Sequence, residues 1–147
     1  MYHTLQFIHS WWAYLTLFTL LMASINALAG YFANKEYDPK TFRISLFTLI
    51  VTHIQVLIGF VLYFVSPLGL KNISMHGMGE VMRDSTSRLF AVEHPIVMIL
   101  VVVLVTIGYS KHKKKLLSKG KYKVLAITYT LALLLLLSRV PWQQWLN

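Results

Sequence analysis

FRISLFTLIVTHIQVLIGFVLYFV, residues 42–65, decides the fold. Its only charge is Arg43, near one end, and no charged residue follows before Val65. As a helix at about 1.5 Å per residue it reaches about 36 Å, enough to cross a hydrocarbon core of about 30 Å. A barrel strand would alternate in hydropathy and be about half as long. Pro39 and Pro67 bracket the run, and proline disfavours helix interiors.

Three more runs on either side meet the same requirement. With the first they predict spans over about 5–32, 42–65, 89–109 and 122–140. The expected fold is an all-α, integral membrane four-helix bundle, one domain over residues 1–147. Composition agrees. Hydrophobic residues make up 56% and charged residues 13%, and the latter is about half the share usual in soluble domains. The N-terminus has no basic start and no small-residue cleavage site, so the first run reads as a retained span rather than a signal peptide. There is no cysteine, which excludes disulfides, thiolate metal sites and cysteine nucleophiles.

The net charge of +9 could suggest nucleic acid. Its distribution points to a lipid bilayer instead. Lys35, Lys40, Arg43, Lys111, Lys113, Lys114, Lys115, Lys119, Lys121 and Lys123 flank the first and third connectors. Lys71, Arg83, Arg88 and Arg139 are all that the opposite side carries, ten against four. The positive-inside rule then puts the first group in the cytoplasm and both termini on the outer, periplasmic side of a bacterial inner membrane. Trp11, Trp12, Trp142 and Trp145 fall at that outer boundary, as an aromatic belt would.

Ionisable side chains inside a span are costly and point to function. His53 lies mid-span, His94 early in the third span and His9 near the outer end of the first. Neutral imidazoles on facing helices can ligate haem iron axially. Counted from the cytoplasmic boundary, His53 lies about 15 Å deep, His94 about 24 Å, Arg139 about 26 Å and His9 about 34 Å. An iron between His53 and His94 would leave Arg88 and Arg139 outward of it, placed to meet propionates. His9 is the alternative ligand or a propionate partner. The competing reading gives each histidine a hydrogen-bonded structural role, and lets the arginines snorkel or pair with Glu93.

Other signals are less specific. Ala13, Thr16, Leu20, Ala23, Ala27 and Gly30 form a mostly small stripe near the azimuth of His9. It would admit a flat ring or a neighbouring helix equally well. Pro95 either kinks the third helix and aims His94, or opens it. Asn26 and Gln55 suit interhelical hydrogen bonds or a quinone. Met75, His76, Met78 and Met82 could hold copper, but their loose spacing fits simple apolar contacts better. KHKKK, residues 111–115, reads as a solvated topology signal attractive to anionic lipid. Walker, dinucleotide, CxxCH and HExxH motifs are absent.

At HSWWA (9–13), THIQVLIGFVLYFVSP (52–67), RLFAVEHP (88–95), TIGYSK (106–111) and SRVPW (138–142) the chain resembles a family of small bacterial four-helix membrane proteins labelled "cytochrome B". The resemblance covers nearly the whole length and implies haem b and electron transfer. A looser likeness, to small membrane protoporphyrinogen oxidases, rests on the histidine near the start of the first helix. The expectation is therefore a bis-histidine haem b carrier, with a redox partner protein or quinone, as a homodimer or accessory subunit. The alternatives are a haem-dependent oxidoreductase acting on quinone or porphyrinogen, and a cofactor-free structural subunit.

Overall fold

Residues 1–146 are described by a computed structural model, and every regular element in them is helical. Four helices are long and apolar enough to cross a membrane. They are α1 (Tyr2–Phe32), α2 (Pro39–Val65), α6 (His94–Lys114) and α7 (Ser118–Arg139). Short helices α3 (Leu70–His76), α4 (Met78–Arg83) and α5 (Ser85–Arg88) fill the long connector, and α8 (Trp142–Leu146) follows α7.

Helix ends have local causes. The Asp38 carboxylate accepts the backbone N–H of Thr41 at 2.9 Å, and Pro39 occupies the first turn, where its missing N–H costs nothing. α2 therefore starts three residues before the expected Phe42. α1 ends through Asn34 at φ 51°, in the left-handed region, as Lys35 N–H closes on Gly30 O at 3.0 Å. The third span departs most from expectation. It runs unbroken from Ser85 to Lys114 and takes in Lys111, Lys113 and Lys114, read above as connector.

A π-helical turn, Leu89–Glu93, joins α5 to α6 just ahead of Pro95. Pro95 has no N–H to offer the carbonyl of Ala91, four residues back. The Tyr63 hydroxyl on α2 donates to that carbonyl instead, at 2.7 Å. The turn widens where the helix loses a bond, and a neighbouring helix supplies the missing donor.

α1 packs on α2 and α7, and α6 packs on α7 and α2. The connectors 33–38 and 115–117 meet at one end, the lysine end, where Tyr37 N–H reaches Ser118 Oγ at 2.9 Å. At the other, the histidine end, Trp145 Nε1–H donates to Ser10 O at 3.3 Å.

The core belongs to the lysine end and the middle. Leu20, Val105, Tyr129 and Ala132 are fully buried. Gly30 lies against the Tyr122 ring and Gly108 against Thr128, so neither has room for a Cβ. Thr16 to Gly30 of the small stripe are used in this packing, which is its helix-contact reading. Toward the histidine end the pattern changes. The first buried residue of α1 is Thr16 and that of α6 is Val101. The last of α2 is Thr52 and that of α7 is Leu136.

Candidate functional site

The histidines divide in a way that depth counting along the sequence misjudges. His9 and His94 come together, with ring centroids 6.3 Å apart and planes at 88°. His53 joins neither. Its neighbour on α6 is Thr106, 3.4 Å from Nε2, and Thr106 lies twelve residues, about 18 Å, along α6 from His94. One iron cannot bridge that offset with bonds of about 2 Å, so His53 and His94 do not form a ligand pair in this arrangement. The reason is the helix boundary. Because α6 continues to Lys114, His94 sits about 30 Å from its lysine end, against about 34 Å for His9 on α1, and the two are nearly level. His53, counted from Pro39, sits at about 21 Å.

Each imidazole is held differently. His94 donates Nδ1–H to Arg139 O at 2.8 Å, which leaves Nε2 as the lone-pair nitrogen. His9 lies against α2. Gln55 Nε2 donates to His9 O at 2.9 Å, and one turn on, a Cβ at Gly59 would stand 3.1 Å from His9 Cε1. His9 Nδ1 is buried with no hydrogen-bond partner, and so is Gln55 Oε1. Buried polar atoms in lipid are costly when unpaired, so this corner is incomplete on protein atoms alone. Gln55, Gly59 and Tyr63 are spaced by four along one face of α2, all directed at the His9–His94 corner. The spacing of four is written in the sequence and was the signal that could have pointed to this corner.

Charge surrounds the pair on one side. Arg88 Nε–H donates to Glu93 Oε2 at 3.0 Å, and Arg139 Nε lies 3.7 Å from Glu93 Oε1. Arg88 also reaches Met82 O at 2.8 Å. Both arginines thus pair with Glu93, the competing reading, yet two cations on one carboxylate leave a net positive charge beside His94. Arg139 has two roles, since its carbonyl orients His94 while its guanidinium faces Glu93.

No family model matches this chain, and no curated protein or solved structure does. Geometry and chemistry must therefore carry the reading.

Two imidazoles sharing one metal need centroids about 6 Å apart, from two metal–nitrogen bonds of about 2 Å and two ring radii of roughly 1 Å. The observed 6.3 Å equals that separation, and with planes at 88° it is equally the spacing of two rings packed edge to face. Perpendicular planes are compatible with a shared metal, because each ring need only contain the metal–nitrogen axis. A metal held by protein side chains alone is not supported, since no group of three or more His, Asp or Glu converges among the described residues.

The remaining candidates settle elsewhere. Asn26 Nδ2 donates to Thr41 Oγ1 at 3.0 Å, an interhelical bond. His76 donates Nδ1–H to Asn72 Oδ1 at 2.8 Å, while Met75, Met78 and Met82 are exposed around it. His112, read as a connector residue, is fully buried. It donates Nδ1–H to Tyr109 O at 2.6 Å and accepts from the Tyr37 hydroxyl at 2.8 Å. Burial pushes the Tyr37 phenol up to about 12, which keeps it a donor. The sequence hint was the continuation of α6 past Tyr109, which places His112 one turn further along the helix.

Proposed function

We propose that this chain is a membrane haem b protein that relays electrons, with His9 and His94 as the axial ligands. The observation that carries the reading is the 6.3 Å separation of their rings. It is supported by the free Nε2 of His94, the unpartnered Nδ1 of His9 and the excess positive charge of Arg88 and Arg139 over Glu93. It agrees with the resemblance to the "cytochrome B" proteins. When bound, haem supplies a one-electron couple whose potential follows from its ligands, burial and nearby charge. The chain's own residues orient the imidazoles through Arg139 O, pack His9 against Gly59 and offer arginine to the propionates. Haem held by both His9 and His94 would have no side for a substrate to bind iron, so a carrier or redox subunit is favoured over an oxygen-activating enzyme.

The proposal includes the setting. The four spans form a bundle in a bacterial inner membrane, the lysine end faces the cytoplasm, and the histidine end and both termini face outward, on the ten-to-four distribution of Lys and Arg. The redox partner is a protein or a quinone.

The test is a reduced-minus-oxidised visible spectrum of protein made under full haem supply and purified in mild detergent. Sharp b-type bands that survive carbon monoxide are expected. They should vanish in His9→Ala and in His94→Ala and persist in His53→Ala. Full haem content in both of the first two variants would sink the ligand assignment. A colourless wild-type protein would replace the reading with a cofactor-free subunit.

A further inference from the structure

His53 stands apart from the pair and poses its own question. It is exposed on the outside of α2, near the middle of a span of 27 residues. Ionisable side chains at that depth almost always face the protein interior, water or a partner. His53 faces outward among exposed Ile50, Ile54 and Leu57, beside the seam with α6.

Its tautomer follows from its contacts. Nδ1–H donates to Leu49 O at 2.8 Å, so in the neutral ring Nε2 carries a lone pair and no proton. Thr106 Oγ1 is the polar atom nearby, 3.4 Å from Nε2. Its one proton goes to Val102 O at 2.6 Å, a much shorter bond. Nε2 is therefore an acceptor without a good donor, presented to hydrocarbon, where no water can serve it.

The missing partner must be a donor that dissolves in hydrocarbon. A second copy of this chain does not meet that need through its own His53. Two such rings would present lone pair to lone pair, and the Thr106 proton is committed in each copy. We propose that the α2–α6 seam at His53 binds a membrane-soluble quinol, whose phenolic O–H donates to Nε2 while its apolar tail lies along the flanking isoleucine and leucine side chains. The oxidised quinone has only acceptors, so the site distinguishes the two redox states and favours the quinol. It extends the electron-transfer reading by naming a reduced substrate class, but its geometry does not depend on haem.

Full-length protein in phosphatidylcholine nanodiscs, labelled with ¹⁵N-histidine, is titrated anaerobically with decylubiquinol. The His53 Nε2 resonance, assigned by its loss in His53→Phe, should move and saturate. The dimethyl ether of the same quinol, which has no hydroxyl, should leave it in place. His9→Ala protein should show the same movement. A resonance that stays still up to saturation of the disc with quinol overturns the proposal, as does an equal shift with the ether. Efficient crosslinking of His53→Cys between copies in native membranes also overturns it, because a second copy would then cover the seam. Visible spectra of the same samples separate the two readings. A still His53 in red protein removes only the quinol site, and a shifting His53 in colourless protein removes only the haem.

Discussion

The two ends of the four helices are built on opposite terms. Toward the lysine end, the largest buried side chains, Tyr122 and Tyr129, have their hydroxyls paired, while the small Ser24 and Thr130 hydroxyls nearer the middle have no partner. Tyr129 is fully buried and its hydroxyl donates to Ser45 O at 2.9 Å, and Tyr122 donates to Glu36 O at 3.1 Å. Toward the histidine end, the spanning helices themselves bury few side chains, the connector and π turn add Ser66, Asn72, Val81 and Ala91, and the larger polar side chains Gln55 and His9 each leave a buried atom unpartnered beside two neighbouring imidazoles. In lipid the hydrophobic effect does not drive one helix onto another, so association rests on close packing and interhelical hydrogen bonds. The contrast places the large buried side chains at one end and leaves the other held by hydrogen bonds and ion pairs around His9, His94 and Glu93.

The sharpest way to break that contrast is to compare truncations at the two ends. Tyr129→Ala removes a fully buried ring and a buried hydrogen bond, and cavity formation of this kind costs on the order of 3–5 kcal/mol. His94→Ala in haem-free protein removes one bond to Arg139 O, a loss of about 1 kcal/mol. Thermal unfolding in detergent, followed by circular dichroism, should show a large drop in the first and a small one in the second. Equal drops would mean that the histidine end is as much a part of the stabilising core as the lysine end.

Tyr63→Phe comes next. It strands the Ala91 carbonyl that Pro95 cannot serve, an unpaired acceptor that costs roughly 1–3 kcal/mol. The effect should be local. Amide exchange over residues 89–95 should quicken by about tenfold, since about 1.4 kcal/mol of local opening is a factor of ten, while exchange around Tyr129 stays as it was. If both regions respond alike, the π turn is part of one cooperative unit with the core.

Much of this architecture was legible in the chain. Uninterrupted apolar runs announced four spans, and Pro39 marked the boundary ahead of the second, although the span itself is expected from Phe42. The site was harder to read, for a definable reason. Lys111, Lys113 and Lys114 look like a connector, yet a helix can carry exposed lysines past the membrane boundary, and α6 does so. Ending the third span at Tyr109 set His94 about 6 Å too shallow, which hid how nearly level it lies with His9. The hydrogen bond from His94 to Arg139 O and the unpaired Nδ1 of His9 are tertiary facts that no spacing encodes.

At the lysine end, Asp38 offers a smaller and pH-dependent test. The N–H of Thr41 holds its carboxyl below the ordinary value of 3.8. A depressed folded value means that the stabilisation is fully present above about pH 4 and is lost as pH falls through the folded value. Asp38→Ala should lower stability by about 1 kcal/mol at neutral pH. Asp38→Asn, an equally good cap that does not titrate, should keep the stability at neutral pH and flatten its acid dependence. Thermal scans between pH 3 and 7 check both. An unchanged acid limb in Asp38→Asn would show that another group governs it.

The smallest expected effect lies at the border between the two ends. Thr52 is buried, the last such residue of α2, and its hydroxyl has no hydrogen-bond partner. Most threonine-to-valine changes in a core break a bond, which is why the swap is usually harmful. Here there is none to break, and valine removes a buried polar atom whose desolvation nothing offsets. Thr52→Val should therefore leave the stability unchanged or raise it slightly, by no more than about 1 kcal/mol. A clear loss would mean that the Thr52 hydroxyl has a partner in the membrane. The same variant leaves His9 and His94 untouched, so any change in haem content would trace to that border and not to the ligands.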